Sequence, residues 1–297
     1  MPAENVDRLL CFYEDESGRQ RTLQELTESF PWHPAGTNTY YSVSAANVRL
    51  LSGGTALPPT EKEFWDGVIA DLDHVPQDPI TIILGLEPLD RAPGGTAYQF
   101  VLNNQSLLSQ LAVDLRGYQE QAAAVSRTLD IIVRYASEMN DPGNTQYGND
   151  APGYLETFAV VRDIFRANAP AIQFSFSPAI RADLRHLNSI HGYWPGKENV
   201  DFIGGTWYTG QTADFPDSSG FLKNYVDAFV PTGLPFGLDE MGGTENGTNN
   251  KRMLQRMFGV IADLASHQVS FSYASIFMQD KWLTNEPLDF LTADGGE

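Results

Sequence analysis

The chain has 297 residues, of which 42% are hydrophobic and 11% aromatic, so it can bury a substantial core in one large domain or two small ones. Its 38 acidic residues outnumber its 19 lysines and arginines, giving a formal net charge of -19. That charge repels nucleic acid and anionic membrane surfaces, because phosphate binding needs a cationic footprint. The single cysteine, Cys11, excludes an internal disulfide framework and cysteine-based zinc motifs.

No targeting signal is visible in the sequence. The N-terminal segment MPAENVDRLL lacks a basic region followed by an apolar run, and no stretch approaches the length of a membrane span. The sequence leaves open whether the protein is secreted, with a signal removed, or cytoplasmic. We expect a monomer that binds neither nucleic acid nor membranes. Cys11 lies in the apolar segment LLCFY and is predicted to be a small buried hydrophobe.

Short apolar runs alternate with longer amphipathic segments along the chain. Continuous apolar runs are typical of strands that are covered on both faces. Eight strands are predicted, within the segments Arg8–Asp15, Thr37–Gly54, Ile80–Pro88, Ile131–Asp141, Ile172–Pro178, Val200–Tyr208, Pro235–Gly243 and Val269–Phe277. The second of these segments is longer than one strand, and its pattern does not say which half forms it.

The amphipathic segments between these runs predict helices. The clearest is Glu61–Val75, whose apolar residues follow a helical period. The others are Thr22–Phe30, Leu107–Thr128, Tyr154–Ala169, Ala182–Ile190, Gly220–Val230 and Lys251–Ser266. This alternation predicts a single (β/α)8 barrel domain over residues 1–297, since such barrels typically have about 250 residues. The alternative, an open doubly wound sheet, usually has a glycine-rich phosphate turn after its first strand, and YEDESGRQ offers none.

The active site of a (β/α)8 barrel forms at the carboxyl ends of its strands. Polar and aromatic residues collect at the predicted ends: Glu14, Asp15, Glu87, Glu138, Arg181, Trp207, Tyr208, Glu240, Gln279 and Asp280. Glu138 and Glu240 follow strands that would face each other across the barrel mouth. Glycoside hydrolysis needs such a pair, one carboxylic acid to protonate the leaving oxygen and one carboxylate to attack or to activate water. The alternative for each glutamate alone is a salt bridge at the rim.

Three segments resemble motifs of family 26 of the glycoside hydrolases. Val133–Asp141 is similar to the acid/base motif Arg-x-x-His-Glu-Met-Asn-Gly at the end of the fourth strand. Tyr193–Tyr208 is similar to the signature of the sixth strand, and Pro235–Gly243 to the nucleophile motif of the seventh. The resemblance covers about Asp130–Gly243, whereas the first 100 residues match only as an alternating pattern. It implies a (β/α)8 barrel and retaining hydrolysis of β-glycans, chiefly β-mannans.

The resemblance implies roles for individual residues. Glu138 would be the acid/base and Glu240 the nucleophile, with Tyr208 hydrogen-bonded to the nucleophile and Arg134 beneath the site. Asn140 matches the motif and is expected to organise the loop after the fourth strand.

Two residues depart from the motif and indicate a divergent relative. Ser137 stands where the family has a histidine that contacts the substrate or the nucleophile, and Asp141 replaces a glycine. We expect Ser137 to contact the substrate with a shorter reach than histidine would have.

Further substrate contacts are predicted from aromatic and acidic residues. Trp194, Trp207 and Trp282, like Trp32, lie in or beside predicted loops, where an indole face can stack on a sugar ring. Trp65, by contrast, lies on the apolar face of a predicted helix and is expected in the core. Glu87 is either a third carboxylate of the site, binding sugar hydroxyls, or an ion-pair partner of Arg91.

The five histidines show no metal-ligand spacing, so we expect neither a metal nor another cofactor. The sequence therefore predicts a retaining glycoside hydrolase that acts on a β-linked polysaccharide or oligosaccharide through Glu138 and Glu240. Their carboxyl groups are expected about 5–5.5 Å apart, the separation of retaining enzymes. The alternative is a carbohydrate-binding barrel that has kept the cleft and lost turnover.

Overall fold

In the computed structural model, residues 5–14, 19–30, 32–144, 146–147, 149–181, 187–209, 215–243 and 248–279 are described. Within these ranges the strands are β1 (Leu9–Glu14), β2 (Gly36–Val43), β3 (Ile80–Pro88), β4 (Leu129–Tyr135), β5 (Gln173–Phe176), β6 (Phe202–Ile203), β7 (Thr206–Thr209), β8 (Phe236–Gly243) and β9 (Phe271–Gln279). The helices are α1 (Leu23–Ser29), α2 (Ala45–Leu50), α3 (Pro59–Asp71), α4 (Ala97–Asn103), α5 (Gln105–Ala124), α6 (Ala151–Asn168), α7 (Leu187–Gly192), α8 (Phe215–Phe229) and α9 (Thr248–Ser266).

The strands form a nearly closed parallel barrel. They pair in the order β1-β9-β8-β6-β5-β4-β3-β2, and β7 also pairs with β8. Because β6 and β7 both pair with β8, one after the other, they form the sixth barrel strand in two pieces. Between the first and second strands, the Ala35 amide donates to the Leu9 carbonyl at 2.8 Å. The predicted (β/α)8 barrel is confirmed.

Two apolar layers hold the barrel together. The larger lies between the sheet and the helices and includes Trp65, which is buried as predicted. Cys11 is also buried there, and burial raises the pKa of its thiol, which fits a packing role. The smaller cluster consists of Leu10, Ala35, Ile83, Ile132, Phe202 and Tyr273. These six residues alternate along their strands with neighbours in the outer layer, so they fill the barrel interior.

The structure answers the open question about the second strand and adds two helices. The first half of the segment Thr37–Gly54 forms β2, and most of the second half forms α2. Helix α4 was not predicted from the sequence. The predicted helix Ala182–Ile190 appears as α7 from Leu187 onward, and its first five residues lie outside the described ranges.

The sixth barrel strand is interrupted at Gly204 and Gly205, although the sequence predicted one continuous strand. The buried carboxylate of Asp239 occupies this position, accepting hydrogen bonds from the Gly205 amide at 2.9 Å and from Ser175 Oγ at 3.0 Å. Tyr273 donates to the other carboxylate oxygen at 2.7 Å. A Cβ atom at Gly204 would overlap both Ser175 Oγ and the Asp239 carboxylate. The glycine is therefore required by the polar layer that lies under the barrel mouth.

Gly204→Ala should destabilise the fold by about 1–3 kcal/mol, because the added methyl group must displace a buried, hydrogen-bonded carboxylate. Gly220→Ala is the matched control, since that glycine lies inside α8 with open space around its Cα. It should leave stability unchanged or raise it by up to about 1 kcal/mol. The free energy of unfolding in urea measures both variants, and equal midpoints for the two would contradict the packing argument.

Candidate active site

A cavity of about 650 Å³ opens where the strands reach their carboxyl ends. It is lined by Tyr40, Glu87, Arg134, Ser137, Glu138, Arg181, Tyr208 and Glu240. Seven of the residues singled out in the sequence are thus brought together: Glu87, Arg134, Ser137, Glu138, Arg181, Tyr208 and Glu240. A second cavity of about 530 Å³ lies against β1, β2, α1 and α3 and shares only Tyr40 with the first.

Glu240 is buried and is bound by three donors at once. The Arg134 guanidinium forms an ion pair with Oε2, to which the Tyr40 hydroxyl also donates at 2.7 Å. The Tyr208 hydroxyl donates to Oε1, the contact expected from the sequence. Arg134 in turn donates to the Tyr40 oxygen at 2.8 Å. The carboxylate is therefore fixed by side chains from β2, β4 and β7.

These contacts decide the protonation state of Glu240. Burial alone disfavours the charged form, but the charge of Arg134 and the hydrogen bonds from Tyr208 and Tyr40 outweigh it. The pKa of Glu240 is accordingly held below its ordinary value. At neutral pH the group is an ionised, oriented carboxylate.

A bulge in β8 lets two consecutive acidic residues face the barrel interior. In a regular strand, Asp239 and Glu240 would point to opposite faces. The register of β8 against β9 shifts between Leu238 and Met241, so that both carboxylates turn inward while Leu238 and Met241 pack in the outer layer. Asp239 then bonds within the barrel, and Glu240 reaches the cavity.

Glu138 lies in a tight turn just after β4. The backbone there takes the left-handed conformation twice, at Ala136 (φ 48°) and at Glu138 (φ 55°), which non-glycine residues rarely adopt. The Glu138 amide donates to the Ser177 carbonyl at 2.9 Å, and its own carbonyl accepts from the Asp141 amide at 2.9 Å. Strained backbone of this kind persists where surrounding contacts fix it, and it is concentrated at functional sites.

The protonation of Glu138 is opposite to that of Glu240. Burial and the negative charge of Glu240 raise the pKa of Glu138 to about 7, against the smaller effect of Arg134. One cavity thus contains a carboxylate held in its charged form and a carboxyl group that keeps its proton close to neutrality.

Asn140 and Asp141 tie the turn to the segment that follows β5. The Asn140 side chain donates to the Ala179 carbonyl at 3.1 Å and accepts from the Ala179 amide at 2.7 Å. Asp141 forms an ion pair with Arg181 at 2.8 Å. Asn140 therefore organises the loop, while Arg181 is brought to the cavity wall.

Glu87 and Ser137 are in direct contact beside Glu138. Ser137 Oγ donates to Glu87 Oε1 at 2.6 Å, and the Tyr147 hydroxyl donates to Oε2. Tyr147 also contacts the Ser137 carbonyl at 3.0 Å. Burial raises the pKa of Glu87, and the two hydroxyl donors act against that rise. Glu87 lines the wall of the cavity.

The interpretation of the tryptophans as sugar platforms was wrong for Trp207 and Trp194. Trp207 is fully buried and donates from Nε1 to Ser218 Oγ of α8 at 2.8 Å, because it alternates with the inward-facing Tyr208. Trp194 packs edge-on against Phe176 and Phe229 at centroid distances of 5.1 and 5.0 Å, in the layer outside the sheet. Trp282 lies outside the described residues.

Two tyrosines of the site were missed in the sequence. Tyr40 lies in the segment whose strand was not located, and its inward direction follows only once β2 is known to begin at Gly36. A Cβ at Gly85 would meet the Tyr40 ring at 2.6 Å, so a glycine on β3 makes room for it. Tyr147 lies in a loop without any periodic pattern, and nothing in the sequence indicated it.

Two further findings bear on the class of protein. Among the residues that the structure describes, no three or more histidine, cysteine, aspartate or glutamate side chains are grouped so that they could hold a metal ion. In the same ranges, no helix is both long and apolar enough to cross a membrane.

Several solved structures with a similar fold are mannanases. A family 26 β-mannanase from Bacteroides ovatus aligns with a TM-score of 0.66 and 12% identity over 99% of this chain and 92% of its own. A double mutant of an endo-β-1,4-mannanase from Cellulomonas fimi aligns with a TM-score of 0.65 and 14% identity, over 94% of this chain and 66% of its own. A Bacillus subtilis mannanase aligns with a TM-score of 0.62 and 13% identity, over 99% of this chain and 87% of its own. The chain is similar in fold to family 26 β-mannanases.

The sequence itself gives no such match. No family model matches the chain. No curated protein matches it either. The similarity to the β-mannanases is therefore one of fold, at identities of 12–14%.

The raised pKa of Glu138 predicts how stability depends on pH. The folded form binds a proton up to about pH 7, whereas the unfolded chain loses it near its ordinary value of 4.5, so stability falls as pH rises between these values. Glu138→Gln removes the buried charge and should stabilise the protein by about 2–3 kcal/mol at pH 8, with little effect at pH 4.5.

Glu25→Gln is the control, and its expected effect on stability has the opposite sign. Arg19 and the Thr22 amide hold the pKa of Glu25 below its ordinary value at the start of α1, so removing its charge should cost slight stability at pH 8. Urea unfolding at the two pH values measures both variants. An equal gain for Glu138→Gln at pH 4.5 and pH 8 would mean that its side chain is not a protonated, buried carboxyl group.

Proposed function

We propose that this protein is a retaining glycoside hydrolase that cleaves β-linked polysaccharides or oligosaccharides, with Glu240 as nucleophile and Glu138 as general acid/base. The observation that carries the proposal is the opposed protonation of these two groups in one cavity: the pKa of Glu240 is lowered and that of Glu138 is raised to about 7. Pairs of titratable groups whose environments push their pKa values apart identify the acid and the base of a site.

In the first step, Glu240 attacks the anomeric carbon while Glu138 gives its proton to the departing glycosidic oxygen. The C–O bond to the leaving group breaks as the ester bond to Glu240 forms. The attacking carboxylate is oriented by Arg134, Tyr40 and Tyr208. It therefore loses little conformational entropy as the reaction begins.

In the second step, the same electrostatics reverse the role of Glu138. Forming the ester removes the charge of Glu240, which is one of the causes of the raised pKa of Glu138. The pKa of Glu138 then falls, so the ionised group can take a proton from water as the water attacks the anomeric carbon. The ester to Glu240 is released, and two inversions give net retention.

The substrate class follows from charge and fold together. A chain with a net charge of -19 suits a neutral glycan better than an acidic one. The solved structures with similar folds are named as β-mannanases. β-Mannan and β-glucan chains are therefore the substrates to test first.

Glu240→Ala should lower kcat on the order of 10⁴-fold or more, because loss of a nucleophile removes a covalent step. Azide, a small external nucleophile, should then restore turnover and give a product of inverted configuration. Release of reducing ends from β-mannan and β-glucan measures the loss of hydrolysis. Turnover restored by azide gives a glycosyl azide, which is not a reducing end, so NMR measures both the amount and the configuration of that product.

Glu156→Ala is the matched control, since Glu156 is exposed on α6 away from the cavity. It should keep full activity. Wild-type activity in Glu240→Ala would contradict the assignment of the nucleophile. Glycan binding by the wild type without any release of reducing ends would instead favour a binding barrel without turnover.

The dependence of kcat/KM on pH should be bell-shaped, with its acidic limb set by Glu240 and its basic limb by Glu138 near pH 7. Glu138→Gln should flatten the basic limb and spare substrates with good leaving groups, which need no proton. Initial rates of an aryl β-mannoside and of an unactivated oligosaccharide across pH 4–9 test this. A basic limb that persists in Glu138→Gln would show that another group supplies the proton.

A further inference from the structure

Ser137 cannot act on a substrate as the histidine of the motif would. A serine has one hydroxyl proton, and that of Ser137 is directed to Glu87 Oε1 at 2.6 Å. The other oxygen of Glu87 accepts from Tyr147. Ser137 and Glu87 thus line the cavity as a hydrogen-bonded pair.

A sugar hydroxyl can use the hydrogen-bond acceptor capacity of Glu87 that the protein leaves free. A carboxylate accepts about four hydrogen bonds. The hydroxyls of Ser137 and Tyr147 donate to one oxygen each, and the Ser137 amide is a further donor. Capacity for a further hydrogen bond remains, and the side chain lines the cavity beside Glu138.

Two arginines share the cavity with Glu87, and the charge of each is already paired. Arg134 forms an ion pair with Glu240, and Arg181 forms one with Asp141. Tyr147 also contacts the Ser137 carbonyl at 3.0 Å, so one hydroxyl fixes both Glu87 and the strained turn that bears Glu138. The position of Glu87 is thereby linked to that of the acid/base.

We infer that Glu87 binds a hydroxyl group of a sugar unit in the cavity, and that Ser137 and Tyr147 are positioning residues that act through Glu87. The inference rests on the proposed function and specifies how the same site recognises its substrate. It requires a sugar unit with a free hydroxyl group next to the bond that is cleaved.

Binding is measured without turnover, by calorimetry with mannotetraose and cellotetraose on proteins that also carry Glu240→Gln. Glu87→Gln should weaken binding of the better ligand about 10–100-fold, because it replaces a charged acceptor pair by one acceptor and one donor. Ser137→Ala and Tyr147→Phe should each weaken it about 3–10-fold. Glu156→Gln, on exposed α6, should bind as the parent does.

A double-mutant cycle separates positioning from a purely structural role. If Ser137 acts through Glu87, adding Ser137→Ala to Glu87→Gln should cost no further affinity. In proteins with Glu240 intact, Glu87→Gln should raise KM while both limbs of the pH profile stay in place. Should Glu87→Gln fail to fold, Ser137→Ala and Tyr147→Phe carry the test, since each removes one hydroxyl and keeps the carboxylate.

The outcomes distinguish this inference from the proposed function. Unchanged affinity in Glu87→Gln, with an active wild type, overturns the role of Glu87 alone, as do additive losses in the cycle. Tighter binding of a chitosan tetramer, lost in Glu87→Gln, would assign Glu87 to an ammonium group and overturn it too. A wild type that neither binds nor cleaves any of these glycans removes the proposed function, and this inference with it.

Discussion

The buried ion pair between Arg134 and Glu240 is the constraint on which the rest of the site depends. Taking both charges out of water costs several kcal/mol per ion, and their attraction offsets that cost only when the remaining polar atoms are also bonded. Tyr40, Tyr208 and Thr206 supply most of those bonds from β2 and β7, while the buried Nε of Arg134 has no partner among the described residues. Because a buried pair is weak evidence for stability, its presence under a cavity points to function.

The fold was predictable from the sequence because a barrel strand buried on both faces reads as an apolar run. Ile80–Pro88 has that character. The segment GTNTYYSV of β2 does not, since its threonines and its asparagine pack or hydrogen-bond inside the barrel wall. Glu138 and Glu240 could be found because the fold itself brings strand ends together.

The direction of side chains was less predictable, because it depends on backbone irregularities. The break at Gly204 and Gly205 and the bulge beside Asp239 depend on contacts with atoms of other strands. Once these are known, Tyr208 faces Glu240 and Trp207 must face α8. The position of Tyr147 depends on a loop that folds back onto the turn after β4. A local sequence pattern carries no information about such a long-range contact.

Both departures from the family 26 motif have partners in this structure, which explains how the site keeps its electrostatics. Ser137 is bonded to Glu87, and Asp141 is paired with Arg181. The charge of Asp141 raises the pKa of Glu138 and that of Arg181 lowers it, so the two members of this ion pair act on Glu138 in opposite directions. Burial and Glu240 then remain the main causes of the raised pKa. The asymmetry between Glu240 and Glu138 arises because Arg134 contacts Glu240 directly and acts on Glu138 only through its field.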